Sequence, residues 1–325
     1  MNRRNFISGC GICGAHLFAL SNLFPTRFRS IFEQEKSAEI EVTEPWGRIE
    51  KVADRTWALI STPFETNDFT TVCNGGIVQG DRGVLVVESY MRPEGAKWMA
   101  EQAKILTGKW PTDIVSTHHH ADHSAGHLGF YSDSRNPRIW LTESTKESAE
   151  KGFAERNMQN NEFKNVSILN STQTTTIDLG NRKVKVIPRS GHTQSDVTIE
   201  LEDPKVIWCG DLFFNRMFPN YGDAIPNRIH QYVDGILSAP DAIYVPGHGP
   251  LANQAAFEEY KRFLGYVETE AKRSFDKGDK AKAGAAGFKL PESLKDWMIW
   301  SPQNAEKAFS AWYNIWESPQ LSPGK

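Results

Sequence analysis

The sequence predicts an α/β protein in which two β-sheets pack face to face with helices on the outside. Two observations predict it. Short apolar runs with strand character fall in two groups, each interspersed with segments of helical period. Several of these runs end in loops that carry His or Asp beside Gly, as expected of a site built along one edge of a sheet scaffold.

Taken in order, strand signals run through Arg48–Ser61, Val72–Gln79 and Gly83–Glu88. Residues Pro93–Leu106 read as a helix, because Ala96, Met99, Ala103 and Leu106 recur at helical spacing. Asp113–Thr117 is a short buried strand, Arg138–Thr142 another strand, and Ser144–Asn160 a polar helix. Strands follow at Thr174–Asp178, Lys183–Ile187, Asp196–Glu200 and Val206–Cys209, with a further strand-like run at Ala242–Val245. Asn227–Leu237 and Ala252–Lys277 read as helices. A polar break after Asp276 precedes Leu290–Trp300 and Pro302–Trp316, which carry Trp297, Trp300, Phe309, Trp312, Tyr313 and Trp316. These read as an amphipathic helical appendage packed on the main fold. A dimer surface or a substrate lip is the competing reading.

The 325 residues include ten Trp, ample for a large core, and the net charge of −3 gives no general attraction to nucleic acid. The N-terminus reads Met1-Asn2-Arg3-Arg4-Asn5-Phe6-Ile7, followed by a weakly apolar stretch to about Phe24. Arg-Arg-x-Phe-Ile resembles a twin-arginine export signal. Gly9, Gly11, Gly14, Ser8 and His16 make the stretch a poor spanning helix. The expected organisation is a signal over 1–25, a linker over 26–44, the main domain over 45–277 and a helical extension over 278–325. The implied partners are the export machinery, the membrane only during export, and a small-molecule substrate in a periplasmic or otherwise exported bacterial protein. Of four cysteines, Cys10 and Cys13 lie in the signal. Cys73 and Cys209 are expected as buried free thiols, although an exported protein permits a disulfide.

The densest chemical signal is His118-His119-His120-Ala121-Asp122-His123. Imidazole is the commonest protein metal ligand, and a carboxylate extends such a cluster to a second ion. In extended chain alternate side chains point the same way, so His118 and His120 can grip one ion while His119 points elsewhere. A turn into helix then lets Asp122 and His123 face a neighbouring position. Ser190-Gly191-His192-Thr193, Cys209-Gly210-Asp211 and Pro246-Gly247-His248-Gly249 add three further strand-end loops. Cys209, two positions before Asp211, is expected to point the same way as that carboxylate.

With these four motifs in this order, residues 45–265 resemble the metallo-β-lactamase-fold hydrolase superfamily. The resemblance implies an αββα sandwich of two mixed sheets flanked by helices. It implies that His118, His120 and His192 bind a first metal, that Asp122, His123 and His248 bind a second, and that Asp211 bridges. His119 and His127 are not ligands in that pattern. The family often has an Asp after the strand that ends at Val87; here it is Glu88, expected to brace the metal loop from behind.

The resemblance further implies two zinc ions per chain, with iron or manganese as other occupants, and a shared water activated for attack on an ester, thioester, lactone or lactam carbonyl. Asp122 is the expected catalytic carboxylate. Lactamase subclasses with a second-metal Cys would carry it where Asp211 stands, and related lactonases carry a Tyr where Phe214 stands. Asn215 and Tyr221 are weighed as substrate contacts and read instead as loop polar residues. An iron-binding redox enzyme resembling persulfide dioxygenases is the alternative.

Overall fold

The computed structural model describes residues 39–158, 161–236 and 241–318. The twin-arginine segment, Cys10, Cys13 and all but the end of the linker lie outside the described residues. An eight-stranded sheet runs in chain order: β1 (Glu39–Glu44), β2 (Gly47–Ala53), β3 (Thr56–Ser61), β4 (Gly75–Gln79), β5 (Val84–Val87), β6 (Asp113–Val115), β7 (Arg138–Thr142) and β8 (Val166–Leu169). From β2 to β5 the pairing is antiparallel, and from β5 to β8 it is parallel. The second sheet has five strands: β9 (Thr175–Asp178), β10 (Lys183–Arg189), β11 (Asp196–Glu202), β12 (Lys205–Phe214) and β13 (Ile243–His248), ordered β13-β12-β11-β10-β9. Only β12 and β13 pair in parallel there. Both sheets are therefore mixed, as the αββα sandwich requires.

Strand alternation builds the layers. Leu85 and Val87 of β5 face inward to meet Val184, Val186, Ile199 and Trp208 between the sheets. Val84 and Val86, one residue out of phase, face outward and pack under Ala96, Met99 and Ala103 of α2 (Pro93–Thr107). A first, four-residue helix, α1 (Pro63–Thr66), follows β3. Trp208 ties the layers together through its indole N–H, which donates to the Gly75 carbonyl at 3.0 Å.

Two short elements follow β6 and β7: α3 (Ala121–Ser124) and α4 (Glu143–Glu155). Thr142 caps α4, its hydroxyl accepting from the Thr145 N–H. The outer face of the second sheet is covered by α5 (Pro226–Ile236), α6 (Gln254–Asp276), α7 (Ala281–Ala286) and α8 (Asn304–Glu317). Phe257, Tyr260 and Phe263 of α6 pack there with Phe309 and Trp312 of α8.

Several expectations are corrected. The stretch read as linker to residue 44 is already strand from Glu39, because Val42 packs against the outer core of the first sheet. Arg48–Ser61 is a hairpin of two strands that turns at Asp54 and Arg55, the latter at φ 52°. Leu290–Trp300 holds only one 3-10 turn at Glu292–Leu294, and α7 forms inside the polar break. The tail is nonetheless packed on the main fold: Leu294, Trp297, Phe309 and Trp312 are buried in the same cluster as β12 and α6.

Cys73 and Cys209 are both buried free thiols. Cys209 does not point with Asp211. Gly210 takes φ 52° and the β12–β13 register shifts on either side of it, so the strand bulges there. Cys209 consequently faces the helix layer with Ile207, while Asp211 turns to the opposite edge.

Candidate metal centre

The ends of β6, β12 and β13 and the loop after β10 converge at one edge of the sandwich. After Val115 the chain leaves the strand and bends over His118–His120, the last at φ −60° and ψ 147°. It then turns into α3, which swings Asp122 and His123 to a neighbouring position. His118 Nε2 lies 3.1 Å from His120 Nδ1, and His120 Nδ1 lies 2.9 Å from His192 Nε2. Asp211 Oδ2 completes this group at 3.2 Å from His192 Nε2 and 3.9 Å from His118 Nε2.

The other oxygen of Asp211 faces a second group. Oδ1 lies 3.1 Å from His123 Nε2 and 3.3 Å from His248 Nε2. Asp122 Oδ2 lies 3.5 Å from His123 Nε2 and 3.2 Å from His248 Nε2. All seven residues expected from the motifs are thus brought together, in the two sets expected. A cation fits both sets. Four ligands arranged tetrahedrally at about 2.0–2.1 Å from one ion stand about 3.3–3.4 Å apart, and these separations bracket that value. His123 Nε2 and Asp211 Oδ1 are buried with no hydrogen-bond partner, although both atoms point into the second set.

The electrostatics point the same way. Burial pushes the His192 ring down to about 3 and His118 well below its ordinary value, so both are neutral and able to coordinate. Burial would likewise lower His248, but Asp211 and Asp122 outweigh it and raise the ring to about 9. A protonated His248 supplies positive charge that two buried carboxylates demand; a metal ion there would supply more. Burial alone would raise Asp122, yet His123 and His248 hold its carboxyl well below the usual range.

Behind the candidate ligands lies a supporting layer. His123 Nδ1 is 3.0 Å from Glu88 Oε1, and Thr117 donates its hydroxyl to the same oxygen at 2.6 Å. Glu88 braces the loop as expected, and does so from a left-handed backbone at φ 80°. Cys73 donates its thiol to the Asp122 carbonyl at 3.0 Å, and burial pushes that thiol up to about 12, so it stays protonated. His120 Nε2 is 2.8 Å from Asp223 Oδ2. Asp223 was not singled out in the sequence: it sits 103 residues from its partner on a loop with no motif. Hydrogen bonds from His119 and His120 hold its carboxyl well below the usual range.

The remaining residues sort as follows. His119 stays out of both buried sets and approaches Asp223 at 3.6 Å. His127 is enclosed by Phe163 and Phe153, with its ring nitrogens at the Ser124 and Glu162 carbonyls. Asn215 donates to the Pro250 and Leu251 carbonyls and so fastens the His248 loop. Tyr221 is buried in the helix-side core. Gly247 is required by the site: a Cβ there would stand 2.0 Å from Asp211 Oδ1.

A family model described as Metallo-beta-lactamase superfamily matches residues 69–248. The chain belongs to this superfamily. A protein named Metallo-beta-lactamase type 2 from Bacillus sp. (strain 170) is 24% identical over 262 residues, covering 78% of this chain and 95% of the relative. Its namesake from Bacillus cereus is 25% identical over 187 residues, 56% of this chain and 68% of the relative. Among solved structures, the inverting sec-alkylsulfatase Pisa1 from Pseudomonas sp. superposes with a TM-score of 0.65 at 16% identity. That match covers 85% of this chain and 52% of the sulfatase, so the chain spans about half its length. A metallo-β-lactamase from Erythrobacter litoralis superposes with a TM-score of 0.56 at 19% identity, covering 70% of this chain and all of that one. These structural likenesses speak to the fold.

Proposed function

We propose that this protein is a hydrolase that holds two zinc ions and directs an activated water at an ester, thioester, lactone or lactam carbonyl. One observation carries the reading: the two oxygens of Asp211 face different sets of ligand atoms, which is the arrangement of a bridging carboxylate. When bound, two metal ions supply a water whose pKa falls from about 15.7 toward about 7, and they polarise the substrate oxygen.

The chain's own groups do the rest. His118, His120 and His192 hold one position. Asp122, His123 and His248 hold the other. Asp122 also stands at the mouth, with Oδ2 directed at that second position, where it orients the water and takes its proton. Glu88 and Asp223 accept from the outer nitrogens of His123 and His120 and fix the faces those rings present. Asp211 stands where a second-metal Cys would stand, and Cys209 faces away; this favours a hydrolase outside the Cys-ligated subclasses. Phe214 stacks on His248 with ring centroids 5.1 Å apart and offers no hydroxyl, which weighs against close kinship with the lactonases. The Arg3-Arg4 signal extends the proposal to an exported protein.

The test joins two measurements. Protein purified without added metal is analysed for metal content, and the same sample is run against a panel of β-lactam, lactone, ester, thioester and alkyl sulfate substrates. About two zinc per chain with turnover of one panel member is the expected result. Iron in place of zinc, with no hydrolysis, would transfer the site to redox chemistry of the persulfide-dioxygenase kind.

A further inference from the structure

The C-terminal segment does more than cover the second sheet. Residues Arg216–Phe218, which follow β12 after a bend at Asn215 and Arg216, form an isolated bridge with Met298. Phe218 N–H donates to the Met298 carbonyl at 2.9 Å, and Met298 N–H donates to the Arg216 carbonyl at 3.0 Å. Asn304 at the start of α8 is fully buried, and its amide donates to the Phe218 carbonyl at 3.4 Å. The tail is therefore stitched to the mouth of the site.

That mouth is a cavity of about 380 Å³ whose floor includes His120, Asp122, Asp211 and His248. Its lining also includes the apolar side chains of Val72, Met91, Phe214, Met217 and Trp300. Two cations reach it, Arg156 from the end of α4 and Lys307 from α8. Neither forms an ion pair with a carboxylate among the described residues. Lys307 Nζ contacts only a neutral group by hydrogen bond, Asn220 Oδ1 at 3.4 Å, and lies 5.9 Å from the Trp300 ring centroid. The carboxylates of the cavity are already engaged: Asp122 and Asp211 by the histidine sets, Asp223 by His119 and His120. A second cavity of about 630 Å³, between α8 and the Tyr221–Ile225 loop with the start of α5, shares Lys307 and Gly222 with the first. Lys307 thus stands at the junction of the reaction cavity and an adjoining groove.

We infer that Lys307 and Trp300 select the substrate: an amphiphilic anion, with an apolar body against Trp300 and Met217 and a carboxylate or sulfate on Lys307. The inference rests on the hydrolase reading for what happens at the floor of the cavity, and on the cavity alone for binding. A half-buried ammonium with no carboxylate partner gains a charge-assisted hydrogen bond from such a ligand, and the aromatic wall removes the apolar body from water.

The test uses the metal-loaded full chain and has two arms. In the first, octanoate, octyl sulfate and neutral octanamide are titrated and binding is read by calorimetry. The anions are expected to bind about tenfold or more tightly than the amide, and Lys307→Gln to lower the anion-to-amide ratio by about tenfold. Lys307→Arg should keep most of it. In the second, matched esters that differ only in a terminal carboxylate or carboxamide on the acyl chain are compared. Lys307→Gln should raise KM for the carboxylate ester relative to the carboxamide ester and leave their kcat ratio in place. Metal content is measured on each variant. An anion preference untouched by Lys307→Gln would assign the anion to the metals and overturn the inference. Binding that follows Lys307, with no turnover of any ester, thioester, lactone or β-lactam in the panel, would uphold it and overturn the hydrolase reading instead.

Discussion

Single residues carry the proposed chemistry, and the roles proposed for them separate because the two oxygens of Asp211 face two sets of candidate ligands. Asp122 is the residue whose loss should be most specific. Asp122→Asn is expected to lower turnover by about 10²–10⁴, while His119→Ala lowers it far less, because His119 stands outside both sets. Metal content and turnover on one accepted substrate check this pair. An Asp122→Asn variant with full metal and near-normal turnover would remove Asp122 from the mechanism. The sequence made seven candidate ligands legible because HxHxDH compresses four of them into six residues, and the other three stand beside Gly at strand ends. Asp223 was not legible, since nothing local marks a loop Asp that accepts from a histidine 103 residues away.

At the level of elements, bulge and tail matter most. The alternation rule held from Val84 to Val87 and failed across Gly210, where a positive φ reverses the side chain that follows. An unbroken β12 would have pointed Asp211 into the helix layer with Cys209. The tail is integral to the fold, as Phe309 shows: it is 1% exposed and packs against Phe288 and Tyr313. Phe309→Ala is expected to cost about 3–5 kcal/mol of stability, read as a lowered urea midpoint at unchanged slope. A change under about 0.5 kcal/mol, the scale of a surface substitution, would mean that α8 is only loosely attached. The aromatic content of residues 290–316 announced burial, but not which face of the fold they would bury. That depended on the exposed helix-side surface of α6, visible only after folding.

For the whole molecule, the buried histidines of the candidate metal centre bear on how stability responds to pH. In metal-free protein, unfolded His192 and His118 take up protons below about 6.5, whereas folded His192 does so only near 3 and His118 well below its ordinary value. The unfolded state then binds more protons, and stability is lost as pH falls from about 6.5. His248 acts oppositely: its folded value of about 9 gives a contribution complete below about 6.5 and lost as pH rises through 9. The metal-free chain is therefore expected to show its highest urea midpoint near pH 6.5, measured at pH 4.5, 6.5 and 9. A midpoint still climbing at pH 9 would show that the carboxylates do not hold a proton on His248. The export proposal belongs to this scale too. Arg3→Lys with Arg4→Lys is expected to leave the protein in the cytoplasm; unchanged export would assign the signal to the general route.

What the sequence determined by itself was the layered α/β architecture and the seven residues of the candidate ligand set. Both are written locally, in strand and helix periodicity and in four short motifs at strand ends. What only the tertiary structure decided was how the sets divide between the Asp211 oxygens, the support from Asp223, and the placing of Lys307 over the mouth. Each of these joins residues tens to hundreds of positions apart. Such pairings follow from which surfaces remain unburied once the sheets have stacked, and no local pattern encodes that.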